Sequence, residues 1–411
     1  MRRVCLAHAL RAMRAHPIRT VAVERAPIGP SCAGRAIAAE VLALEDVPPF
    51  TRSSVDGFAV HAEDVRSARP GAIVRLTIVG EVTMGADAPR ALPRGHAMRV
   101  PTGGWLPSGA SAVVKKEDCS DLGDAVEIND GEGSDEHITR QGADIRRGEV
   151  LAKPGTVVTP ASVGMLSGAG VSELPLFAKA RVALLVTGDE IVSPGALLHA
   201  GAVRDINSLS LGATLRAMGF SLVSYERVAD RKDVFEAAFA RALRECDAVV
   251  ISGGSSVGER DYTPQIVAAA GAPGVIVHGV RAKPGRPTML AIVGDKPVIG
   301  LPGNPVSALV MLETLGKPIL LRLYGKDDQT LPLRACLTSR LALDPRLEHL
   351  VPVALSRAER GLNASPLLGT SAQMHILGFA DALVAVPEGS GPIEAGELVD
   401  AVPLSRTTSL R

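Results

Sequence analysis

The apolar and polar positions change texture along the chain, and each texture predicts a different architecture. Leu6, Leu10 and Met13 recur on one helical face, so the chain opens with an amphipathic helix. From about 46 to 144 the runs are short and β-like, as in AIVRLTIVGEV, HAMRVPTGG and ASAVVKKE, and Gly and Pro divide them. From 179 to 327 strands and helices alternate. The strand ARVALLV is followed by a helix at NSLSLGATLRAMG and a strand at SLVSYERV. A helix over 232–246 comes next, with Phe235, Phe239, Ala242 and Cys246 on one face. DAVVISGG reads as a strand, TPQIVAAAG as a short helix and VIVHGV as another strand. The short pair TMLAIVG and KPVIGLPG leads into a last helix from Asn304. Continuous apolar strands alternating with helices predict a parallel sheet covered on both faces. From 328 to 411 β texture returns, in RACLTSRLAL, LVPVALS, DALVAVPEG and ELVDAVPL, and predicts a small all-β domain.

Composition narrows the class. The chain of 411 residues carries 44 Lys+Arg against 44 Asp+Glu, so no overall field exists to hold a polyanion. Aromatic residues are 3% of the total, with Trp105 the single tryptophan, which argues against a base-stacking surface. Nucleic acid is therefore not an expected partner. No apolar run approaches the ~18 residues of a membrane span, and Arg11 and Arg14 interrupt any signal-like core. Five scattered cysteines without CxxC spacing read as reduced thiols, and the expected location is cytoplasmic. Residues 117–139 are rich in acids and lack Lys and Arg; they read as a solvated hairpin rim, since their spacing fits no cation loop.

In an open α/β sheet, ligands bind outside the carboxyl ends of the strands. Three such ends carry unusual loops. Thr187-Gly188-Asp189-Glu190 follows ALLV. Ser252-Gly253-Gly254-Ser255-Ser256-Val257-Gly258 follows DAVVI and runs into Glu259-Arg260-Asp261. Leu301-Pro302-Gly303-Asn304-Pro305 opens the last helix. Glycines let successive backbone N–H groups converge on an anion, and serines add donors. Asn304 suits an N-cap and Pro305 a first helical position, which leaves a positive helix end for a phosphate. Lys283 and Arg286 add two cations on the turn Lys283-Pro284-Gly285-Arg286-Pro287. Asp189, Glu190 and Asp261 beside an anion site point to a bridging divalent cation, Mg²⁺ by its hard-oxygen preference. Neither GxxxxGK[ST] nor a strand-linked GxGxxG is present, so the ligand is not ATP in a P-loop or a dinucleotide in a Rossmann crevice.

In order along the chain, these motifs resemble the MoeA family of molybdenum-cofactor biosynthesis, which includes the E domains of gephyrin and its plant counterpart. Pro48-Pro49-Phe50-Thr51-Arg52-Ser53-Ser54-Val55-Asp56-Gly57-Phe58-Ala59-Val60 resembles "PPFxxSxMDGYAV". Arg99-Val100-Pro101-Thr102-Gly103-Gly104-Trp105-Leu106-Pro107-Ser108-Gly109-Ala110 resembles "RIxTGAxLPxGAD", and Gln141-Gly142-Ala143-Asp144-Ile145 resembles "xGEDI". TGDE, SGGSSVGERDYT, KPGRP and LPGNPVSA complete the series.

The resemblance implies a multidomain α/β protein of four parts. These are a discontinuous helical linker domain (1–45 with 145–178), an inserted β-rich domain (46–144), a MogA-like doubly wound α/β domain (179–327) and a small C-terminal β-barrel (328–411). It also implies a molybdopterin molybdotransferase that takes adenylated molybdopterin and molybdate and releases AMP with Mg²⁺. On that model the protein is a homodimer. Thr187, Gly188, Asp189, Ser252, Gly253, Gly254, Ser255, Gly258, Pro302, Gly303, Asn304 and Pro305 hold the pterin phosphate. Lys283 and Arg286 serve the molybdate or the pyrophosphate, and Glu190 and Asp261 place the metal. Asp56, Thr102 and Asp144 reach in from the partner subunit as catalytic residues. Other cofactor-synthesis proteins and apo-molybdoenzymes are further expected partners.

The sequence departs from the family at Ser111, Gly279 and Val351, where Asp, a basic residue and Arg are usual. Those changes motivate one alternative, a weakened paralogue that binds or hands over finished cofactor. The other alternative, a molybdopterin adenylyltransferase, shares the α/β domain but not the long β-rich extensions.

Overall fold

The computed structural model describes residues 3–87, 89–253, 262–359 and 361–405. The chain forms two compact units, one of residues 1–24, 34–38 and 176–411 and the other of residues 25–33 and 39–175.

The larger unit is built on a six-stranded sheet. Its strands are β1 (Arg181–Thr187), β2 (Ser221–Val228), β3 (Ala248–Ser252), β4 (Pro273–His278), β6 (Met289–Val293) and β7 (Lys296–Leu301). Their spatial order is β2-β1-β3-β7-β6-β4. The two-residue strand β5 (Ala282–Lys283) belongs to the C-terminal sheet instead.

Alternate residues of each strand face opposite cores, which is why the strand sequences are apolar throughout. On one face Val182, Leu184, Val186, Val250 and Ile299 pack with α1 (Leu6–Arg14), α2 (Asn207–Ala217) and α5 (Pro305–Met311). On the other, Ala183, Leu185, Val249, Ile251 and Val298 pack with α3 (Lys232–Glu245) and α4 (Thr263–Ala269). Phe235, Phe239 and Ala242 are buried on α3, as the pattern predicts, and Cys246 is buried at its end. The opening helix buries Leu6, Ala9 and Met13.

Two features differ from the sequence expectation. The sheet is mixed, because β6 runs antiparallel to both β7 and β4. Only Gly294 and Asp295 separate β6 from β7, which allows a hairpin but no crossover. The last helix is also not uniform. After α5 it passes through a π-helical turn at Leu312–Gly316 and a short α-helix at Lys317–Leu321 before ending in a 3₁₀ turn. Pro318 has no N–H to give the ladder, and the widened turn lies just before it.

The C-terminal strands β8 (Leu333–Leu337), β9 (Glu348–Arg357), β10 (Leu362–Pro366), β11 (Ala382–Val386) and β12 (Leu398–Pro403) close on themselves in the order β9-β10-β8-β12-β11-β9. This is the expected small barrel. Ala335, Leu337, Val353, Ala364, Val384 and Ala401 fill it, and closure leaves no free edge among these five strands. β5 adds to β9 in parallel, pairing Lys283 with His349.

The smaller unit contains a second six-stranded sheet, in the order Ala112–Lys115, Gly57–Val60, His96–Val100, Val74–Glu81, Ala125–Ile128 and Cys119–Asp121. Phe58, Val60, Leu76, Val114, Val126 and Ile128 form its core. Of the acid-rich segment, Cys119–Asp121 and Ala125–Ile128 form a hairpin as expected, but Val126 and Ile128 are buried, and beyond it Glu132, Glu136 and His137 bring their ligand atoms within 4.8 Å of one another. Asp121 lies on the hairpin in a fork with Arg99, at 2.8 Å to Nε and 2.7 Å to the terminal nitrogen.

Candidate active site

The parallel register aligns three strand ends at one edge of the α/β sheet. Val186 lies opposite Ser252, and Ser252 opposite Leu301. The described parts of the three unusual loops, the second as far as Gly253, therefore emerge side by side and open onto a cleft of about 1220 Å³. Thr187, Gly188, Glu190, Ser252, Gly253, Pro302, Gly303, Asn304 and Pro305 line it, together with Lys283 and Arg286. Gly254, Ser255, Gly258 and Asp261 lie outside the described residues.

A buried amide ties these loops together. Asn207, at the start of α2 and 7% exposed, donates through Nδ2 to Ser252 Oγ and to the Gly303 carbonyl, both at 2.8 Å. Its Oδ1 is buried and finds no partner among the described residues. Ser252 Oγ in turn lies 3.4 Å from the Pro302 carbonyl. Gly253 fits only as glycine: its φ is +95°, and a Cβ would come within 2.5 Å of the Thr187 carbonyl oxygen.

Asn304 departs from its expected role. It holds the N-cap position with Pro305 next, but its side chain makes no capping bond; Nδ2 donates instead to Ser371 Oγ at 3.0 Å. The Val306 N–H donates to the Ser371 carbonyl at 3.1 Å. A loop of the C-terminal barrel region thus takes over part of the capping that the sequence assigns to Asn304.

Charge in the cleft is sorted by function. The side chains of Lys283 and Arg286 make no hydrogen bond or ion pair with any described residue, so both cations stay available to an anionic ligand. Arg204 also reaches the cleft, but its guanidinium is engaged by the carbonyls of Ser193 (3.4 Å), Pro194 and Ala196 (3.0 Å). Asp189 is not among the lining residues; it accepts the N–H of Asp230 at 3.0 Å. Asp230 lines the cleft and accepts the hydroxyl proton of Tyr262. Burial first, and then that bond, push the Tyr262 phenol above its ordinary range, so it remains a neutral donor.

Glu190 sits at the cleft with its carboxylate over Gly188. A Cβ added at Gly188 would lie 3.0 Å from each carboxylate oxygen. This bare backbone cradle presents two hard oxygens to the cleft, a donor type suited to Mg²⁺.

The smaller unit carries the other predicted residues. Asp56 Oδ1 accepts both the backbone N–H of Thr102, at 2.6 Å, and its hydroxyl, at 2.8 Å. These bonds hold the Asp56 carboxyl below its usual range, the backbone bond contributing most. Two further backbone bonds lace the same loops, from Gly103 N–H to the Ser53 carbonyl (2.8 Å) and from Ser53 N–H to the Gly104 carbonyl (3.0 Å). Asp144 is exposed, and its N–H donates to the Val47 carbonyl at 3.0 Å.

The sequence reading missed several residues that line or support the cleft: Asn207, Asp230, Tyr262, His349, Thr370 and Ser371. Asn207 stands in RDINS directly before an apolar helical run, which marks a helix start but not the loops it bonds. The barrel residues had no signal, because their proximity arises only from tertiary folding.

Three family models match the chain in order. They are the MoeA N-terminal region (domain I and II) at residues 4–170, the "Probable molybdopterin binding domain" at 183–322 and the MoeA C-terminal region (domain IV) at 334–404. A protein of Mycobacterium tuberculosis named molybdopterin molybdenumtransferase 2 is 32% identical over 369 residues, covering 88% of this chain and 91% of its own length. The molybdopterin molybdenumtransferase of Haemophilus influenzae is 30% identical, with 73% of each chain covered. A crystal structure of the molybdopterin biosynthesis MoeA protein from Pyrococcus horikoshii superposes with a TM-score of 0.84 at 32% identity, covering 99% of this chain and all of that one. The ordered motifs, the mixed α/β sheet and the closed C-terminal barrel agree with these likenesses: the chain belongs to the MoeA family.

Proposed function

We propose that the protein is a molybdopterin molybdotransferase of molybdenum-cofactor biosynthesis, which exchanges the AMP of adenylated molybdopterin for molybdenum drawn from molybdate. One observation carries the reading. The described parts of three loops at adjacent strand ends share a cleft with two cations, Lys283 and Arg286, that have no carboxylate partner among the described residues. Such a wall suits a ligand bearing phosphates together with an oxyanion. Relatives named as transferases cover most of the chain, which weighs against the alternatives of a cofactor carrier and of an adenylyltransferase.

In this reading the loops at Ser252-Gly253 and Pro302-Gly303 orient the pterin phosphate, and Asn207 fixes the distance between them. Lys283 and Arg286 bind and orient the oxyanion. Glu190 would hold Mg²⁺, which when bound neutralises phosphate charge. Asp56, Thr102 and Asp144 act in a homodimer, from the second copy. Asp56, held ionised by its two bonds from Thr102, would act as a fixed negative charge and hydrogen-bond acceptor rather than as a proton carrier. The test is AMP release from adenylated molybdopterin with molybdate and Mg²⁺. The wild type releases AMP, Glu190→Gln releases far less, and equal background release by both would refute the proposal.

A further inference from the structure

We propose that the stacked aromatic pair of Phe50 and Trp105, in the smaller unit, is a platform for the adenine of an adenosine monophosphate group, with the Arg52 guanidinium beside it for the phosphate. The proposal rests on the reading above, in which the loops of Asp56 and Thr102 meet the adenylated substrate.

The chain has one tryptophan and leaves it at the surface, 36% exposed. Its neighbour Leu106 is buried in a core with Val100 and Val113, to which Trp105 does not belong. The indole is nonetheless held in place. Phe50 stacks on it, with ring centroids 4.5 Å apart and planes 9° from parallel. A fixed aromatic pair that is open to solvent can extend its stack by one more flat ring, at little conformational cost to the protein. One such pair serves one base and not a strand of bases, in keeping with the few aromatic residues of the chain.

Backbone pairing sets what stands beside the rings. Trp105 lies opposite Arg52 in an antiparallel bridge. The flanking bonds run from the Ser53 N–H to the Gly104 carbonyl (3.0 Å) and from the Leu106 N–H to the Thr51 carbonyl (2.9 Å). Arg52 and Trp105 are thus a non-hydrogen-bonded pair, whose side chains share a face with about 4.5–5.5 Å between Cβ atoms. The Arg52 side chain is exposed and makes no hydrogen bond or ion pair with any described residue. A flat apolar stack with a free guanidinium next to it suits a ligand that joins an aromatic base to a phosphate. Thr102, three residues before Trp105, is fixed to Asp56 through its N–H and its hydroxyl. The stack therefore belongs to the loops that the reading brings to the substrate from the second copy. The pterin phosphate goes there to the strand-end loops of the larger unit, which leaves the adenylate for this platform.

The experiment titrates the full chain with AMP and follows the emission of Trp105, the single indole of the protein. Excitation at the red edge of the indole band avoids absorption by adenine. AMP is expected to quench the emission to saturation, and ribose 5-phosphate, which lacks the base, to leave it unchanged. Arg52→Gln is expected to weaken the binding of AMP but not of adenosine. In AMP-release assays Trp105→Leu is expected to raise KM for adenylated molybdopterin about tenfold, the size of one base–aromatic stack, and Trp105→Phe to recover most of that loss. Emission that no concentration of AMP alters overturns the proposal. Emission that follows protein concentration instead of AMP also overturns it, because a second copy then covers the rings. In fluorotryptophan-labelled protein, a resonance that shifts with a phosphate-free pterin and not with AMP gives the platform to the pterin and overturns the adenine assignment. If the wild type releases AMP in turnover while Trp105→Leu keeps its KM, the platform falls and the transferase reading stands. If AMP quenches the emission but turnover releases none, the platform stands and the transferase reading falls.

Discussion

Asn207→Asp is the sharpest probe of how the cleft is held together. The substitution keeps side-chain volume but replaces a two-bond donor with an acceptor. In the native structure Nδ2 serves Ser252 Oγ and the Gly303 carbonyl, both at 2.8 Å. Each buried acceptor left without its donor costs about 1–3 kcal/mol. Ser252 compensates in part by turning its hydroxyl from the Pro302 carbonyl, 3.4 Å away, to donate to the new carboxylate. The expected loss is therefore about 2–4 kcal/mol, in the lower part of the summed range. At about 2–4 °C per kcal/mol for a unit of this size class, calorimetry reads a melting temperature lower by roughly 4–16 °C. The two loops also lose their spacing, so KM for adenylated molybdopterin rises. A stability change under about 0.5 kcal/mol, the level of an ordinary surface substitution, would refute the idea that this amide clamps the loops.

Three other substitutions test separate parts of the structure. Gly253→Ala forces a Cβ to within 2.5 Å of the Thr187 carbonyl oxygen at a φ of +95°, so a loss of at least about 2 kcal/mol is expected in chemical denaturation. Thr102→Val removes the hydroxyl bond to Asp56 but keeps the stronger backbone bond, so the Asp56 midpoint followed by NMR rises only part of the way to the ordinary value. The sign follows from that depressed value: the stabilisation from Asp56 is present above its unfolded pKa and is lost as pH falls through the folded one. If Asp56 acts from the second copy, Asp56→Asn and Glu190→Gln proteins, each inactive alone, regain about a quarter of wild-type activity when dissociated and mixed one to one, because half of the dimers are mixed and each holds one intact site.

The sequence showed what local chemistry dictates. Apolar runs such as ALLV and DAVVI announced buried strands, and the punctuation after them located TGDE, SGG and LPGNP at one edge of the sheet. Where a residue's role depends on distant partners, the sequence was silent. Asn304 reads as a helix cap, yet Ser371, 67 positions away, draws its side chain off. Asn207 reads as an ordinary first-turn residue until the fold buries it against two loops. The mixed sheet was legible in principle, since two residues between TMLAIVG and KPVIGLPG leave room for no crossover helix. His349 illustrates the limit most clearly, because nothing in LEHLVPVAL shows that β9 adopts β5, or that the histidine falls opposite Lys283.

The central claim is that the cleft joins molybdate to an adenylated pterin at the expense of AMP. The most direct test follows AMP in single turnovers of purified protein with adenylated molybdopterin, with and without molybdate, in the presence of Mg²⁺. The account predicts that molybdate accelerates AMP release by the wild type, and that the acceleration is lost in Lys283→Ala although the adenylated pterin still binds. AMP release that ignores molybdate, or that survives unchanged in Lys283→Ala, would contradict it.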